Sequence, residues 1–259
     1  MTADGPAQAP GGLGDVYTRY FASGSYDRRY PRPNARVMAA IAPHLDLGAH
    51  LLDYGCGSGR YLLPLWARVG RAAGFDVCEA ALGLLAARAV QGGTRPPPAV
   101  LGPEQGALHA HVAAHGRFDV VLCLFGVLAH IAPRAERIAT LRRLRSVLAP
   151  GGVLVVTVPN RRRRFAREQR APEARDGSIT YLRETEDGPL CLPYQLYDPP
   201  RLSAELAEGG FAAGACFAES VLPESWLANA PRLARVDAAA AQLCPARLGY
   251  GIGTVAREK

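Results

Sequence analysis

The stretch Leu51–Leu65, LLDYGCGSGRYLLPL, sets three alternating glycines between two apolar runs, with an acid, Asp53, two residues ahead of the first glycine. A short apolar run that ends on a glycine turn and reopens as an apolar helix reads as a buried parallel strand feeding a ligand loop. Several ligand classes bind at such turns, so the neighbouring residues must decide among them.

The spacing excludes two of those classes. A phosphate loop requires GxxxxGK[ST], which the chain lacks. A dinucleotide fingerprint requires GxGxxG, its third glycine allowing close packing of helix on strand. Here Gly55, Gly57 and Gly59 follow GxGxG, and Arg60 stands where that third glycine belongs. Asp53 would also repel a pyrophosphate, whereas it suits a ligand carrying an ammonium and a sulfonium. Asp76 lies about twenty residues beyond Gly55, the spacing at which a carboxylate accepts hydrogen bonds from ribose hydroxyls.

Outward from the loop, strands alternate with helices. AHLLDYG, RAAGFDV, a weaker PPPAVLG, RFDVVLCLFGVL and GVLVVTVPN read as five strands. Helical spacing appears in NARVMAAIAPHL, with Asn34 as N-cap, and in GRYLLPLWARVG, CEAALGLLAARAV and PRAERIATLRRLRSVLAPGG. After a break, DPPRLSAELAEGG and PESWLANAPRLARVDAAAAQL read as helices, the second interrupted at Pro231. FAAGACFAES reads as a sixth strand and RLGYGIGTVARE as a last one. This order predicts an α/β fold, a Rossmann-like three-layer αβα sandwich on a mostly parallel seven-stranded sheet. Residues 1–45 are expected to form a flexible tail and N-terminal lid helices, and residues 46–259 the core. The segment 161–200, charged and without clear period, is expected to be a substrate-side insertion at the carboxyl ends of the strands.

Taken together, LLDYGCGSGRYL, GFDV, FDVVLCLFGVLAHI and LRSVLAPGGVLVVTVPN resemble the class I S-adenosylmethionine-dependent methyltransferases. The resemblance covers Ala49–Asn160 closely and the C-terminal strands loosely. It implies an antiparallel last strand. It also implies that the Gly55–Gly59 turn, Cys56 included, brings backbone amides to the methionine part of S-adenosylmethionine, with Asp53 orienting that end. Asp76 would hold the ribose hydroxyls and Val77 flank the adenine, with Leu124 and Phe125 facing the cofactor near its methyl group. An acid after strand three is expected on the adenine amino group, and that segment offers Glu104.

YTRYFASGSYDRRY resembles the lid of such enzymes, so Tyr26 or Tyr30 is expected over the sulfonium, where an aromatic face favours positive charge. Methyl transfer to an activated sulfonium needs alignment, exclusion of water and at times removal of a proton. His130, just past strand four, is the candidate base by location, with a positioning role as its alternative. S-adenosylhomocysteine would be the product.

HAHVAAH places His109, His111 and His115 on no single regular face, and the segment is expected to be an exposed loop with no metal. The six cysteines show no CxxC pair and read as reduced thiols. The N-terminal fifteen residues lack the blocks of a secretory signal, and no apolar run approaches membrane-spanning length, so a cytoplasmic protein is expected. The net charge of +7 comes almost wholly from arginine, Lys259 being the only lysine, a composition bias that weakens its meaning. Its sharpest concentration is Arg161, Arg162, Arg163 and Arg164, fit either for an anionic or RNA substrate or for plain solvation.

The sequence thus predicts a methyltransferase acting on an O, N or C centre of a small or lipid-like metabolite. An RNA methyltransferase is the alternative, because GCGSGRYL and RYPRPNARV are faintly similar to tRNA wobble-uridine methyltransferases. A non-catalytic cofactor-binding protein is the third reading.

Overall fold

The computed structural model describes residues 13–92, 96–104, 106–172, 174–183 and 188–259. The expected N-terminal tail lies largely outside the described residues. Five parallel strands build the sheet's first part: β1 (His50–Tyr54), β2 (Arg71–Phe75), β3 (Ala99–Leu101), β4 (Phe118–Cys123) and β5 (Leu148–Pro159). Between and before them lie α1 (Leu13–Ala22), α2 (Ser25–Arg29), α3 (Ala35–Ile41), α4 (Leu62–Trp66), α5 (Glu79–Gln91), α6 (Gly106–His115), α7 (Val127–His130) and α8 (Arg134–Val147). There follow the hairpin β6 (Ser178–Arg183) and β7 (Leu190–Gln195), α9 (Pro199–Glu208), β8 (Phe211–Ala213), β9 (Phe217–Ser220), α10 (Glu224–Leu227), α11 (Pro231–Leu243) and β10 (Gly251–Glu258).

Among the described residues the main sheet has eight strands in the order β3-β2-β1-β4-β5-β10-β8, and β9 also pairs with β10. The last strand is antiparallel to β5, as expected. The expected sixth strand is two short ones, β8 and β9, each antiparallel to part of β10. Alternation along the central strands divides the core in two. Leu52, Tyr54, Val121, Cys123, Leu154 and Val156 pack with Ile138, Leu141 and Leu144 of α8. Leu51, Val120, Leu122, Val153 and Val155 pack with Val37 of α3, Leu62 of α4 and Leu85 of α5. Helices therefore cover both faces, and the carboxyl ends of β1 and β4, where strand order reverses, are left for a ligand.

Local signals account for the helix starts. Asn34 Oδ1 accepts from the Arg36 and Val37 N–H groups at 2.9 and 3.1 Å. Asp198 Oδ1 accepts from the Arg201 N–H at 3.0 Å, ahead of two prolines that open α9. Pro231, which interrupts the expected helix, is the first residue of α11, where its missing N–H costs nothing.

Two expectations require correction. The histidine segment is the helix α6 and not a loop, so His111 and His115 share a face with ring centres 4.6 Å apart. His50 joins them from β1, its Nε2 lying 3.2 Å from His111 Nε2. The segment after β5, expected to be irregular, contains the regular hairpin β6–β7, in register from Ser178 opposite Gln195 to Arg183 opposite Leu190. No helix among the described residues is long and apolar enough to cross a membrane.

Candidate functional site

The glycine turn is fixed from both ends. The N–H groups of Gly55 and Cys56 both donate to Phe75 O of β2, at 2.7 and 3.0 Å. Gly55 has φ 79° and Gly57 φ 52°, left-handed values that favour glycine. Space demands it as well: a Cβ on Gly55 would overlap the Val127 side chain, and one on Gly57 would lie 2.9 Å from Phe21 of α1. Asp76 spans the turn and the start of α5, its Oδ2 accepting from the Gly57 N–H at 2.8 Å and its Oδ1 from the Cys78 N–H at 2.9 Å. Across the turn, Ser58 Oγ donates to Asp27 at 2.6 Å, and Arg88 pairs with Asp27 at 2.7 Å. These bonds join α2, the glycine turn and α5.

Asp53 lies beneath the turn, 3 % exposed, and accepts from the Leu62 N–H that opens α4. Burial, then repulsion from Asp76, pushes its carboxyl up to about 7. Asp76 is itself pushed up by burial. Two close acids short of positive charge make a site that favours a cationic ligand. The same shift has a consequence for stability without ligand. A carboxyl whose native pKa exceeds its unfolded value binds more protons when folded, so its contribution falls as pH rises from about 4 to about 7. Asp53→Asn removes that titration. Its melting temperature is expected to match wild type at pH 5 and to exceed it at pH 8, as thermal denaturation at both values will show.

The turn opens onto a cavity of about 540 Å³. Its walls include Gly55, Gly57, Asp76, Val77, Leu124 and Phe125 of the expected cofactor residues, together with Tyr26, Tyr30 and His130. Asp53, Cys56 and Gly59 are not on that wall; they underlie it, with Asp53 and Cys56 buried. Tyr26 packs among Phe21 at 4.7 Å, Tyr30 at 5.7 Å and Phe125 at 6.2 Å between ring centres. Burial pushes its phenol up, against the hydrogen-bonded Arg60. His130 stands 4.4 Å from Tyr194 and 5.6 Å from Tyr17. Glu104 is exposed and off the wall.

A second cavity, about 1160 Å³, lies beside the first, and Tyr20, Tyr30, Phe125, Arg164 and Tyr181 line both. On and behind its walls stand residues that motif reading missed. Arg60, which the sequence used only to exclude a dinucleotide, stacks 4.6 Å from the Phe125 ring centre and 5.4 Å from that of Tyr30. It pairs with Glu224 of α10 at 2.5 Å, both side chains buried. Glu219 of β9 joins Glu224 on the wall of the cavity, and the hairpin contributes Tyr181 to both cavities and Tyr194 to the first.

The arginine run is divided. Arg164 turns inward, its guanidinium 5.0 Å from the Tyr250 ring centre and 5.7 Å from that of Tyr194. Arg163 donates to Leu248 O and Val221 O, Arg161 approaches Asp198 at 3.7 Å, and Arg162 is exposed. Asn160, wholly buried, anchors the run: its Nδ2 donates to Gly249 O at 2.7 Å and its Oδ1 accepts from the Arg162 N–H at 3.0 Å.

Comparison with known proteins bears on the family and the fold. A methyltransferase-domain family model matches residues 26–213. The chain is 31% identical over 155 residues to dTDP-3-amino-3,6-dideoxy-alpha-D-glucopyranose N,N-dimethyltransferase of Streptomyces fradiae, covering 60% of this chain and 56% of that one. It thus spans about half the length of the curated relatives it matches. Among solved structures, the CcbJ methyltransferase of Streptomyces caelestis superposes with a TM-score of 0.59 at 19% identity, covering 95% of this chain and 96% of that one. The 1,6-didemethyltoxoflavin-N1-methyltransferase of Burkholderia thailandensis gives 0.61 at 20% identity, covering 99% and 93%. With most of its length matched by the family model and its fold shared with these structures, the chain belongs to the methyltransferase-domain family.

Proposed function

We propose that this chain binds S-adenosylmethionine in the smaller cavity and transfers its methyl group to an O, N or C centre of a small or lipid-like metabolite held in the larger one. The observation that carries this reading is the shared wall. Tyr30 and Phe125 separate a cavity bounded by the glycine turn and Asp76 from a second one rich in aromatic and ionisable side chains. The residues fit the cofactor: Gly57 leaves room where a side chain would meet Phe21, and the neighbouring acids Asp53 and Asp76 have no cation beside them among the described residues.

The cofactor supplies an already activated methyl group on a sulfonium. The chain's own tasks are then placement and shielding. Asp76 accepts the Gly57 N–H through Oδ2 and the Cys78 N–H through Oδ1, which leaves acceptor capacity on the carboxylate for a ribose hydroxyl. Val77 flanks the adenine, and the backbone of the Gly55–Gly59 turn lies against the methionine part. Tyr26 and Tyr30 offer ring faces to the sulfonium, Leu124 and Phe125 close the cofactor side, and His130 positions the reactants from α7. The relative from Streptomyces fradiae, named for methylation of an amino sugar nucleotide, supports a small acceptor.

The test uses purified protein, S-adenosylmethionine labelled on its methyl group, and a source-cell extract divided into RNA, protein, lipid and small-molecule fractions. Label is expected in the small-molecule or lipid fraction. Label confined to a nuclease-sensitive fraction would overturn the reading in favour of an RNA acceptor.

A further inference from the structure

The larger cavity has two carboxyls on its wall, and among the described residues only Glu224 has an ion-pair partner. Glu224 is bonded to Arg60 at 2.5 Å. Glu219, 7 % exposed, keeps Oε1 buried without a hydrogen-bond partner among the described residues. Its position is built rather than incidental. Ser220 of β9 pairs with Gly251 of β10, and any Cβ at Gly251 would overlap Glu219 Oε2. On its other side Thr157 of β5 hydrogen-bonds to the carboxyl, and the same hydroxyl accepts the Phe125 N–H at 2.7 Å. One hydroxyl therefore separates Glu219 from the backbone of Phe125, which walls both cavities. A buried acceptor atom without a donor is costly, and a bound N–H or O–H removes that cost.

We propose that Glu219 is a catalytic residue that receives the methyl acceptor, and that the accepting atom is a nitrogen carrying at least one hydrogen. This inference rests on the methyl-transfer reading above. The surroundings favour nitrogen over oxygen. Burial, then Glu224, pushes the Glu219 carboxyl well above the usual carboxylate range, with Arg164 and Arg60 opposing. A carboxyl raised in this way is closer in proton affinity to an amine than an ordinary carboxylate is, which favours proton transfer from an ammonium. A phenolate would have to form beside two carboxyls, whereas an ammonium is drawn to them and to the ring faces of Tyr30, Phe125, Tyr181 and Tyr250.

In the step, ionised Glu219 Oε1 takes one proton from the acceptor's ammonium. The freed nitrogen lone pair forms the N–C bond, and the electron pair of the broken C–S bond stays on sulfur. The product is a methylated ammonium, a neutral thioether and a protonated Glu219, which returns its proton to solvent before the next turnover.

The experiment supplies S-adenosylmethionine carrying a carbon-13 methyl to wild type, Glu219→Gln and Glu219→Asp with a source-cell small-molecule extract, and reads the product by NMR, which separates N-, O- and C-methyl carbons. Wild type is expected to give an N-methyl product. Glu219→Gln, neutral and of the same size, is expected to match or exceed the wild-type melting temperature, to keep its S-adenosylhomocysteine affinity and to lose about 100-fold or more of the transfer rate. Glu219→Asp, which keeps the ionisable group, recovers part of it. An N-methyl product formed equally fast by Glu219→Gln removes Glu219 from the step. An O- or C-methyl product overturns the nitrogen assignment while methyl transfer stands. Absence of any labelled product with wild type from the small-molecule extract, and from the lipid, RNA and protein fractions tested alongside it, refutes methyl transfer itself, and this inference with it.

Discussion

Asp76→Ala weakens S-adenosylmethionine binding by about 100-fold or more. Hydrogen bonds to a charged group contribute about 1.5–3 kcal/mol each, and the ribose presents two hydroxyls to one carboxylate. The substitution also strips acceptors from the Gly57 and Cys78 N–H groups, bonded at 2.8 and 2.9 Å, so the glycine turn loses its tie to α5. Asp76→Asn keeps one acceptor oxygen and falls between the two. Calorimetric titration measures both variants, with circular dichroism confirming the fold. An affinity equal to wild type in folded Asp76→Ala would take Asp76 out of the site.

The largest expected loss of stability is at Arg137, 3 % exposed on the core-facing side of α8. Its guanidinium donates to both oxygens of the fully buried Glu205 of α9, at 3.0 and 2.9 Å, and to Gln195 of β7 at 3.2 Å. It also reaches Ile131 O at 3.2 Å, while the Tyr197 hydroxyl donates to Glu205 at 2.9 Å. Arg137→Met leaves Glu205 charged and buried, with Arg134 and Arg201 no nearer than 3.7 and 3.6 Å. Breaking one side of a buried pair costs about 3–5 kcal/mol. For a domain of this size that is a fall in melting temperature of about 10 °C. Replacing both partners, as Arg137→Met with Glu205→Leu, is expected to recover much of the loss, because no unpaired charge remains. Thermal denaturation of the single and double variants decides it. A single variant as stable as wild type would show that the network contributes little.

The parallel strands and the glycine turn were legible because local pattern dictates them. Leu51, Leu52, Asp53 and Tyr54 are all buried, as an unbroken apolar run with one acid foretold. The hairpin β6–β7 was not legible, although its inward residues Ile179, Tyr181, Leu192 and Tyr194 alternate. Pro193 within one strand and exposed Leu182 in the other disguise the period, and proline is tolerated there because the hairpin is a two-stranded ribbon whose strands are both edges. Helix α6 buries Leu108 as its one fully enclosed side chain, too little apolar stripe to announce a helix. The Arg60–Glu224 pair was beyond any window, since 164 residues separate its members. For the same reason, Glu219 stood in the sequence as an acid in a short strand, with nothing to mark the arginines and tyrosines that surround it.

The most direct measurement is calorimetric titration of the purified protein with S-adenosylmethionine and S-adenosylhomocysteine, with a dinucleotide as control. The predicted result is one site per chain for each of the two, with no binding of the dinucleotide. A protein that is folded yet binds neither, or that prefers the dinucleotide, would contradict the assignment of the cavity between the glycine turn and Phe125.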